Sequence, residues 1–327
     1  MFNSCEGWCC TARAVPLQQK RRPSCGTGCR SSSRPAIRRK QQRGTMLGKL
    51  RRFFRRKHGK VIPAVRLQGV IGSRGLSGGL TLAALEKTLE EAFADKKAPI
   101  VLLLVNSPGG SPVQSSLIAS RIRGLAESKN KHVIAIVEDV AASGGYWLAT
   151  AADEIFVDPS SLLGSIGVIS AGFGFTEAIA KIGIERRVHT AGQNKALLDP
   201  FRPEQPEDLL LLSEIQSDIH AAFKEQVVHR RAGRLRLEEK GLFEGKVWTG
   251  RRAVEIGLAD GIATAHELIR QRFGKKARIR VIQEKRSWLA RRLRFGVASA
   301  VGDAAEAITT STLSALEDRI LWQRFGL

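Results

Sequence analysis

The chain of 327 residues has few acidic side chains, few aromatic ones and no cysteine beyond its first thirty residues. Because the rest of the chain holds no thiol, it needs no disulfides and suits a reducing compartment. The apolar fraction of 43% is enough for a sizeable core and excludes disorder throughout. The spacing of the cysteines lacks the pairs and histidines of a zinc site, so no metal is expected there. The cysteines are Cys5, Cys9, Cys10, Cys25 and Cys29.

Acidic residues are scarce mainly at the N-terminus. The chain has 53 Lys and Arg against 31 Asp and Glu, a formal net charge of +22, and residues 1–60 hold 17 of those cations but one acid, Glu6. A charge of this size usually suggests a nucleic-acid partner. With a single tyrosine and no alternation of aromatic and basic residues, the sequence does not favour nucleic acid.

The two ends of the chain differ in composition from its centre. Residues 1–45 show no hydrophobic periodicity, and we expect a disordered segment upstream of the true start at Met46. Residues 46–60 form a basic amphipathic segment with seven Lys or Arg, and residues 275–327 form a basic, helical extension whose stretch 285–295 has similar chemistry. On the helical face of the first segment lie Leu47, Leu50, Phe53 and Phe54.

These basic segments indicate a location in the cytoplasm or peripherally on the cytoplasmic face of the inner membrane, because cations and apolar side chains together bind anionic leaflets. A solvated basic tail, or a helix packed on a neighbouring subunit, remains an alternative. No apolar stretch of secretory-signal length follows the cations. The uncharged stretch 159–176 holds four glycines and four serines, which suits turns and strands better than a membrane span.

Between residues 61 and 274 short apolar runs alternate with helical patterns. Residues 61–71 predict a strand, 80–95 an amphipathic helix, and 100–105 a strand buried on both faces. This alternation predicts an α/β fold with a largely parallel sheet and ligands at the carboxyl ends of its strands. Further elements are predicted as a helix near 111–127, a strand at 132–137, a helix at 143–152, a strand at 154–157 and apolar runs near 166–169 and 184–189.

Two of these strands are followed by turns whose residues suit a ligand-binding or catalytic site. Asn106-Ser107-Pro108-Gly109-Gly110 has consecutive glycines whose N–H groups can hold an anion at a helix entrance, although the glycines can equally serve packing. The turn 139–146 places Ser143 at the start of a helix with two glycines behind it. That serine is a nucleophile or an ordinary N-cap.

A nucleophilic serine needs a general base, and the sequence offers two candidates. His189 ends the predicted strand 184–189, and Lys195 lies on a loop bounded by glycine and proline, 52 residues after Ser143. A lysine in such a loop is usually only solvated, so the residues alone leave the choice open.

The ordered motifs resemble the signal peptide peptidase A (SppA/SohB-like) serine peptidases of the ClpP/crotonase superfamily, whose fold repeats ββα units around a largely parallel sheet. The resemblance extends over about two thirds of the chain. It rests on NSPGG at 106–110, ASGGY at 142–146, GSIGV at 164–168, G-x-x-K at 192–195 and R-x-A-x-x-x-G-L-x-D at 251–260.

The resemblance implies a Ser-Lys dyad, with Ser143 as nucleophile and Lys195 as general base. Free lysine loses its proton only near about pH 10.4, so Lys195 is expected to be poorly solvated in the assembled site. Ser165 is implied to orient the lysine, and the N–H groups of Gly110 and Gly144 to form an oxyanion hole. No metal or nucleotide is needed.

The resemblance also implies partners and assembly. Substrates would be signal peptides or other unfolded hydrophobic segments, and the chain would form a homo-oligomeric ring in which Lys195 acts in its own subunit or in a neighbouring one. Family members commonly carry an N-terminal membrane anchor, where this chain has the basic segment 46–60. Two other classes remain open: a crotonase-like acyl-CoA enzyme and a non-catalytic scaffold at the membrane.

Overall fold

The central strands of this protein are short apolar runs whose side chains alternate between two buried faces. The computed structural model describes residues 59–72, 79–283 and 319–326, all within one compact unit at 53–327. Its strands are β1 Val61–Gln68, β2 Ile100–Ser107, β3 His132–Ala142, β4 Glu154–Val157, β5 Leu162–Gly164, β6 Val247–Thr249, β7 Gly261–Ile262 and β8 Arg278–Ile282. Its helices are α1 Leu82–Ala94, α2 Pro112–Lys129, α3 Gly144–Thr150, α4 Thr176–Lys181, α5 Pro206–Arg230, α6 Gly250–Glu255 and α7 Ala265–Phe273.

The described strands form one mostly parallel sheet in the order β6-β5-β3-β2-β1-β8, with β4 beside β3 and β7 beside β4. Every pairing is parallel except that of β5 with β6. The predicted α/β class with a largely parallel sheet is therefore confirmed. Because β2 and β3 are neighbours, the turns that follow them lie side by side.

Both faces of the central strands are buried, as the run at 100–105 predicted. Along β2, Val101 and Leu103 pack into a large cluster with helices α1, α2, α3 and α5, while Leu102 and Leu104 pack into a smaller cluster with α7. This period of two is what an extended chain imposes on its side chains. The larger cluster lies on the face of the sheet that α3 packs against.

Helix boundaries follow from capping residues. The Thr81 side chain caps α1 and the Ser111 side chain caps α2, which ends at Asn130 in the left-handed conformation. The predicted helices at 80–95, 111–127 and 143–152 are confirmed to within a few residues, as are the strands near 132–137 and 154–157. None of the helices in the described ranges is both long and apolar enough to cross a membrane.

The prediction of a strand at 184–189 is wrong. Residues 182–190 have no regular structure and are exposed, and residues 166–169 also lack a strand. An apolar run gives the same sequence signal whether the chain buries it in a sheet or leaves it on the surface. The domain boundaries at 45 and 60 stay predictions, since residues 1–58 lie outside the described residues. The boundary at 274 also stays a prediction, although residues 278–282, inside the predicted helical extension 275–327, form strand β8 beside β1. Residues 284–318 of that extension lie outside the described residues.

The motif at 251–260 holds the far end of the sheet together. The buried Arg231, which follows the last residue of α5, donates to Asp260 and to the Gly257 carbonyl, and Asp260 also accepts from the β4 amide of Ile155 at 2.7 Å. Gly257 has φ +84°, and a Cβ there would lie 1.9 Å from the Arg234 carbonyl oxygen. This motif is therefore structural.

Candidate active site

The turns after β2 and β3 pack directly against each other. Ser107 pairs with Ala141 near the ends of the two strands, and each chain then turns away from the sheet. At Gly109, φ is +109°, and a Cβ added there would lie 2.8 Å from the Cβ of Ser143. The glycine-rich turn and the serine turn thus form one site at the carboxyl edge of the sheet, where parallel α/β proteins bind their ligands.

Ser143 has a strained backbone and an uncommitted side chain. Its φ of +51° and ψ of −122° lie outside the regions that L-residues normally occupy. The backbone is held there because the Ser143 N–H donates to the Gly164 carbonyl at 2.8 Å, while its own carbonyl accepts from Tyr146 and Trp147. The side chain makes no capping hydrogen bond, although Ser143 occupies the N-cap position of α3. The N-cap interpretation therefore does not explain this serine.

Two amides beside Ser143 have no protein acceptor in the described part of the chain. Neither the Gly110 N–H nor the Gly144 N–H donates a hydrogen bond to a described residue. Gly110 has φ +141°, and a Cβ there would lie 2.1 Å from the Ile71 carbonyl oxygen, so only glycine fits. An ideal Cβ on Gly144 would lie 3.5 Å from the Gly110 nitrogen, which shows how close the two turns are.

These groups line a cleft of about 600 Å³. Its walls carry polar and apolar groups in similar measure, Glu244 among the polar ones, and a stacked pair, Trp147 and Phe223 with ring centroids 4.9 Å apart, lies on one side. The lining residues include Gly110, Ser143, Gly144, Trp147, Ser165, Val168, Ile169, Ile219, His220, Phe223, Phe243, Leu321, Arg324 and Phe325. The cleft therefore brings together four of the five predicted site residues.

Ser165 reaches the cleft through a second strained turn. Its φ is +50°, and its N–H donates to the Lys246 carbonyl at 2.8 Å. The preceding Gly164 accepts from the Ser143 amide, which joins the GSIGV motif to the serine turn. Ser165 is half-buried and lines the same cleft as Ser143.

Lys195 and His189 are placed differently. Both are exposed in the single chain, and neither is among the described residues that line the Ser143 cleft. The loop around Lys195 is held at its base, because the Leu198 amide donates to Asp208 at 3.2 Å and Arg186 pairs with Asp199 at 3.1 Å. The expectation that the lysine is poorly solvated is not met within one chain.

Several polar residues that the sequence did not indicate position the site. Asn106 donates from its amide nitrogen to Asp139 at 2.6 Å and accepts from the Val140 amide, which fixes the end of β2 to β3. The buried Ser107 accepts from the Gly109 amide at 3.2 Å and so shapes the glycine turn. Both belong to the NSPGG motif, in which the sequence predicted a role for the glycines and none for the polar side chains.

The helix behind Ser143 is anchored by a buried tyrosine. Tyr146 is fully buried, and its hydroxyl donates to the Leu258 carbonyl at 2.8 Å. Burial raises the pKa of the Tyr146 phenol well above its usual range, so the hydroxyl stays protonated and remains a donor. Tyr146 thus ties α3 to the loop after α6.

His220 was also missed by the sequence analysis. It lies on α5, lines the cleft, and has an Nε2 atom that is buried without a hydrogen-bond partner among the described residues. Its position in the middle of a long helix, 77 residues after Ser143, gives no local signal of a site.

A parallel α/β sheet with a serine on a strained strand-to-helix turn, beside two unpaired amides, is typical of proteins that carry a nucleophilic serine. The chain belongs to Peptidase family S49, whose family model matches residues 126–278. The predicted resemblance to the signal peptide peptidase A type family is confirmed by this match and by the relatives below.

The relatives share the peptidase region and differ in length. A Synechocystis protein named "Putative protease" is 32% identical over 212 residues, which cover 64% of this chain and 72% of that protein. The chloroplastic serine protease SPPA of Arabidopsis thaliana is 32% identical over 199 residues, or 60% of this chain and 28% of that protein. A Brucella abortus protein named Na(+)/H(+) antiporter NhaA is 46% identical over 300 residues, or 89% of this chain. The chain spans only 41% of that relative's length.

Proposed function

We propose that this protein is a serine endopeptidase in which Ser143 forms an acyl-enzyme with a peptide substrate. The observation that carries the proposal is the strained Ser143 turn, whose side chain lies in a cleft beside two amides that donate to none of the described residues. The S49 family match supports it. The relative named as an antiporter is much longer than this chain, which covers 41% of it. Residues 126–278, which match the peptidase family model, lie within the part of this chain that aligns with that relative.

In the proposed reaction Lys195 is the general base. The Ser143 hydroxyl oxygen attacks the substrate carbonyl carbon while its proton moves to the neutral amine of Lys195. The tetrahedral intermediate collapses, the peptide C–N bond breaks, and the leaving amine takes the proton from Lys195. Water then attacks the ester, again with Lys195 as base, and releases the second product and free Ser143.

The Gly110 and Gly144 amides would stabilise the tetrahedral oxyanion. Both lack a protein acceptor among the described residues, and both belong to turns fixed by close packing. Preorganised donors of this kind lower the barrier because they need not reorient as charge develops, and each contributes about 10²–10³ in rate. Ser165, on the opposite turn, would orient the lysine amine.

The separation of Lys195 from the Ser143 cleft in one chain leads us to place the lysine in the cleft of a neighbouring subunit of a ring. Residues 168–215, which run from the edge of the cleft into the first part of α5, form an arm with large apolar side chains on its surface. Those exposed by more than half are Ile169, Phe173, Ile182, Ile184 and Leu210. Apolar surface of this extent usually belongs to a protein interface. Burial in such an interface would also remove Lys195 from water.

The proposed substrates are signal peptides or other unfolded hydrophobic segments. Part of the cleft wall is formed by Trp147, Phe223 and Phe243, and this part suits apolar side chains. A peptide also needs no cofactor to be cleaved by this mechanism.

We further propose that the protein contacts an anionic membrane peripherally on its cytoplasmic face. The segments concerned, 46–58 and 285–295, lie outside the described residues, and the proposal rests on their cations and apolar side chains. Cosedimentation with vesicles tests it. Binding is expected to vesicles rich in phosphatidylglycerol and not to phosphatidylcholine vesicles, and equal binding to both would contradict the electrostatic part.

The experiment for the peptidase proposal is cleavage of a signal-peptide-like substrate across pH. Wild type is expected to cleave it with a rate that rises on the alkaline side, because the base must be deprotonated. Lys195→Ala should lose the activity, while Lys240→Ala, which removes an exposed lysine on another loop, should keep it. Activity retained in Lys195→Ala would overturn the dyad, and turnover of acyl-CoA thioesters without peptide cleavage would favour the crotonase class.

A further inference from the structure

A second cavity, of about 750 Å³, adjoins the cleft that holds Ser143. The two cavities lie on either side of the same two turns. Asp139 and Leu162 line the second cavity, and a few residues further along those turns Ser143 and Ser165 line the cleft. Phe325 lines both cavities, so they meet there. The proposed reaction uses none of the residues that line the second cavity.

The floor of the second cavity is apolar and belongs to the face of the sheet that α7 covers. Leu104 and Ile136 are members of the smaller core cluster, and Ile279 and Val281 of β8 are half-buried and pack against that cluster. The serine cleft lies on the other face, with α3 and α5. A ligand with apolar side chains can therefore bury them on this floor.

The rim of the second cavity is acidic. Glu138, Asp139 and Asp158 line it, against the guanidinium of Arg66. In a chain with a formal net charge of +22, this excess of carboxylates gives the cavity the opposite sign to the molecule as a whole. A cationic ligand is therefore attracted to this rim and repelled by most of the remaining surface.

Two of the three acids can take a further cation. Asp139 is held by the hydrogen bond that fixes β2 to β3, whereas Glu138 pairs with Arg66 at 2.6 Å and keeps 31% of its side chain exposed. Asp158 is exposed, and its Oδ1 accepts from a backbone amide two residues further on at 2.9 Å. Among the described residues no group of His, Cys, Asp and Glu is arranged to hold a metal ion. Lysine and arginine side chains are the cations that suit such a dispersed rim.

We propose that the second cavity is a binding site for a basic, apolar segment of the peptide substrate. This inference rests on the proposed peptidase function and extends it. A signal peptide carries cations directly before its apolar stretch. One substrate chain can therefore place its cations at the acidic rim and its apolar stretch on the floor and in the serine cleft. The second cavity selects substrates by their charge, and the cleft holds the bond that is cleaved.

The first test measures the binding of two fluorescent peptides to the full chain in a Ser143→Ala background, which needs no catalysis. In one peptide a run of lysines precedes an apolar stretch of leucines and alanines, and in the other peptide glutamines replace the lysines. The rim variant combines Glu138→Gln with Asp158→Asn, which removes two charges and preserves the size of both side chains. The matched control combines Glu91→Gln with Glu238→Gln, which removes two charges from exposed positions outside the cavity.

The parent should bind the lysine peptide more tightly than the glutamine peptide. In the rim variant the affinity for the lysine peptide should fall about three- to tenfold, while the control variant should bind like the parent. Arg66→Gln, which removes the guanidinium from the rim, should raise the affinity for the lysine peptide, and misfolding would not produce such an increase.

Three results would overturn the inference. The first is equal affinity of the parent for the two peptides, and the second is an equal loss of affinity in the rim and control variants. The third is dissociation of an oligomer in the rim variant alone, seen by light scattering, which would show that a second copy of the chain covers the cavity.

Cleavage of the two peptides separates this inference from the proposed chemistry. With Ser143 intact, the rim variant should raise KM for the lysine peptide by about the same factor as it lowers affinity, and kcat should not change. Cleavage of both peptides with the same KM would overturn the binding site and leave the peptidase proposal standing. Charge-dependent binding without any cleavage would support the binding site and contradict the peptidase proposal.

Discussion

At the scale of single residues, the site depends on a serine in a conformation that its backbone alone would avoid. A residue with a Cβ at φ +51° and ψ −122° costs about 1–3 kcal/mol of strain. The hydrogen bonds from the Ser143 amide to Gly164 and from Tyr146 and Trp147 to its carbonyl oppose this strain. Such strain is a common feature of catalytic turns, and it follows from the observed dihedral angles.

Replacing Ser143 by glycine should relieve that strain. We expect Ser143→Gly to be at least as stable as wild type in urea unfolding, although glycine ordinarily costs about 0.5–1 kcal/mol of stability. Ser143→Ala keeps the Cβ and should gain nothing. If Ser143→Gly is destabilised by about 1 kcal/mol or more relative to Ser143→Ala, the turn is not strained in solution.

Gly109 should tolerate no side chain, because its Cβ would collide with Ser143. We expect Gly109→Ala to lose peptidase activity by about a hundredfold or more, since it displaces the nucleophile or the oxyanion hole. Gly124 is the matched control, since a Cβ there meets nothing within 4 Å and the residue lies in α2. Gly124→Ala should keep full activity and gain about 0.5–1 kcal/mol of stability. Full activity in Gly109→Ala would contradict the packed turns.

At the scale of elements, the sequence predicted the strands β1 to β4, which are largely buried, but not the short strands β5, β6 and β7 or the partly exposed strand β8. The helix at 80–95 has a helical periodicity, and the run at 100–105 is short and bounded by turn residues, which favours a strand buried on both faces. The run at 184–189 was misread because its apolar residues lie on the surface of the arm, where a strand pattern and an interface pattern look alike. The helix starts at Thr81 and Ser111 could also be predicted, because both residues are favoured N-caps. The degree to which each side chain is buried could not be predicted from the sequence.

The site itself was predictable in part. The two turns could be located because parallel neighbours bring their carboxyl ends together, and four of the five predicted residues do meet in one cleft. His220 and the C-terminal residues were not predictable, since they arrive from distant parts of the chain without a motif. The position of Lys195 in an assembly depends on surfaces of more than one chain.

A charge cluster joins β3, β4 and α7 at the opposite end of the sheet. Glu154 accepts two hydrogen bonds from Arg272, at 2.6 and 2.8 Å, and lies 2.6 Å from a ring nitrogen of His132. The hydrogen bonds from Arg272, more than those from His132, lower the pKa of Glu154 to about 2. A carboxyl whose pKa is lowered by folding stabilises the protein above its unfolded pKa, and that contribution is lost as the pH falls towards the folded value.

Glu154→Gln should therefore cost stability in a pH-dependent manner. We expect a loss of about 1–2 kcal/mol at pH 7, after allowance for the part of the side chain that solvent screens. The difference from wild type should shrink as the pH falls from about 4.5 through about 2, below which the carboxyl is protonated in both states. Urea unfolding of both proteins at several pH values measures this difference in the free energy of unfolding. A difference that does not depend on pH would mean that the ion pairs of Glu154 contribute nothing to stability.

At the scale of the whole molecule, the exposed arm and the separated lysine have one explanation in common. A second copy that covers the arm would bury side chains such as Phe173, which is 79% exposed, and would bring a lysine to each cleft. Light scattering should show an oligomer for wild type and smaller species for Phe173→Glu, which puts a charge into the proposed interface. A monomer in both would contradict the ring.

Mixing two inactive variants tests whether the dyad forms between subunits. If Ser143 and Lys195 come from neighbouring subunits, Ser143→Ala and Lys195→Ala proteins coassembled from denaturant should recover part of the wild-type activity. Each variant refolded alone should stay inactive. Oligomers that contain both variants in equal amounts but show no activity would place the dyad within one chain.

The most direct test of the central claim is covalent labelling of Ser143. Wild-type protein treated with a serine-directed acylating probe is expected to gain one probe mass, and peptide mapping should place it on Ser143. Ser143→Ala and Lys195→Ala should gain none. Labelling of a different serine, or labelling that persists in Lys195→Ala at the wild-type rate, would contradict the account.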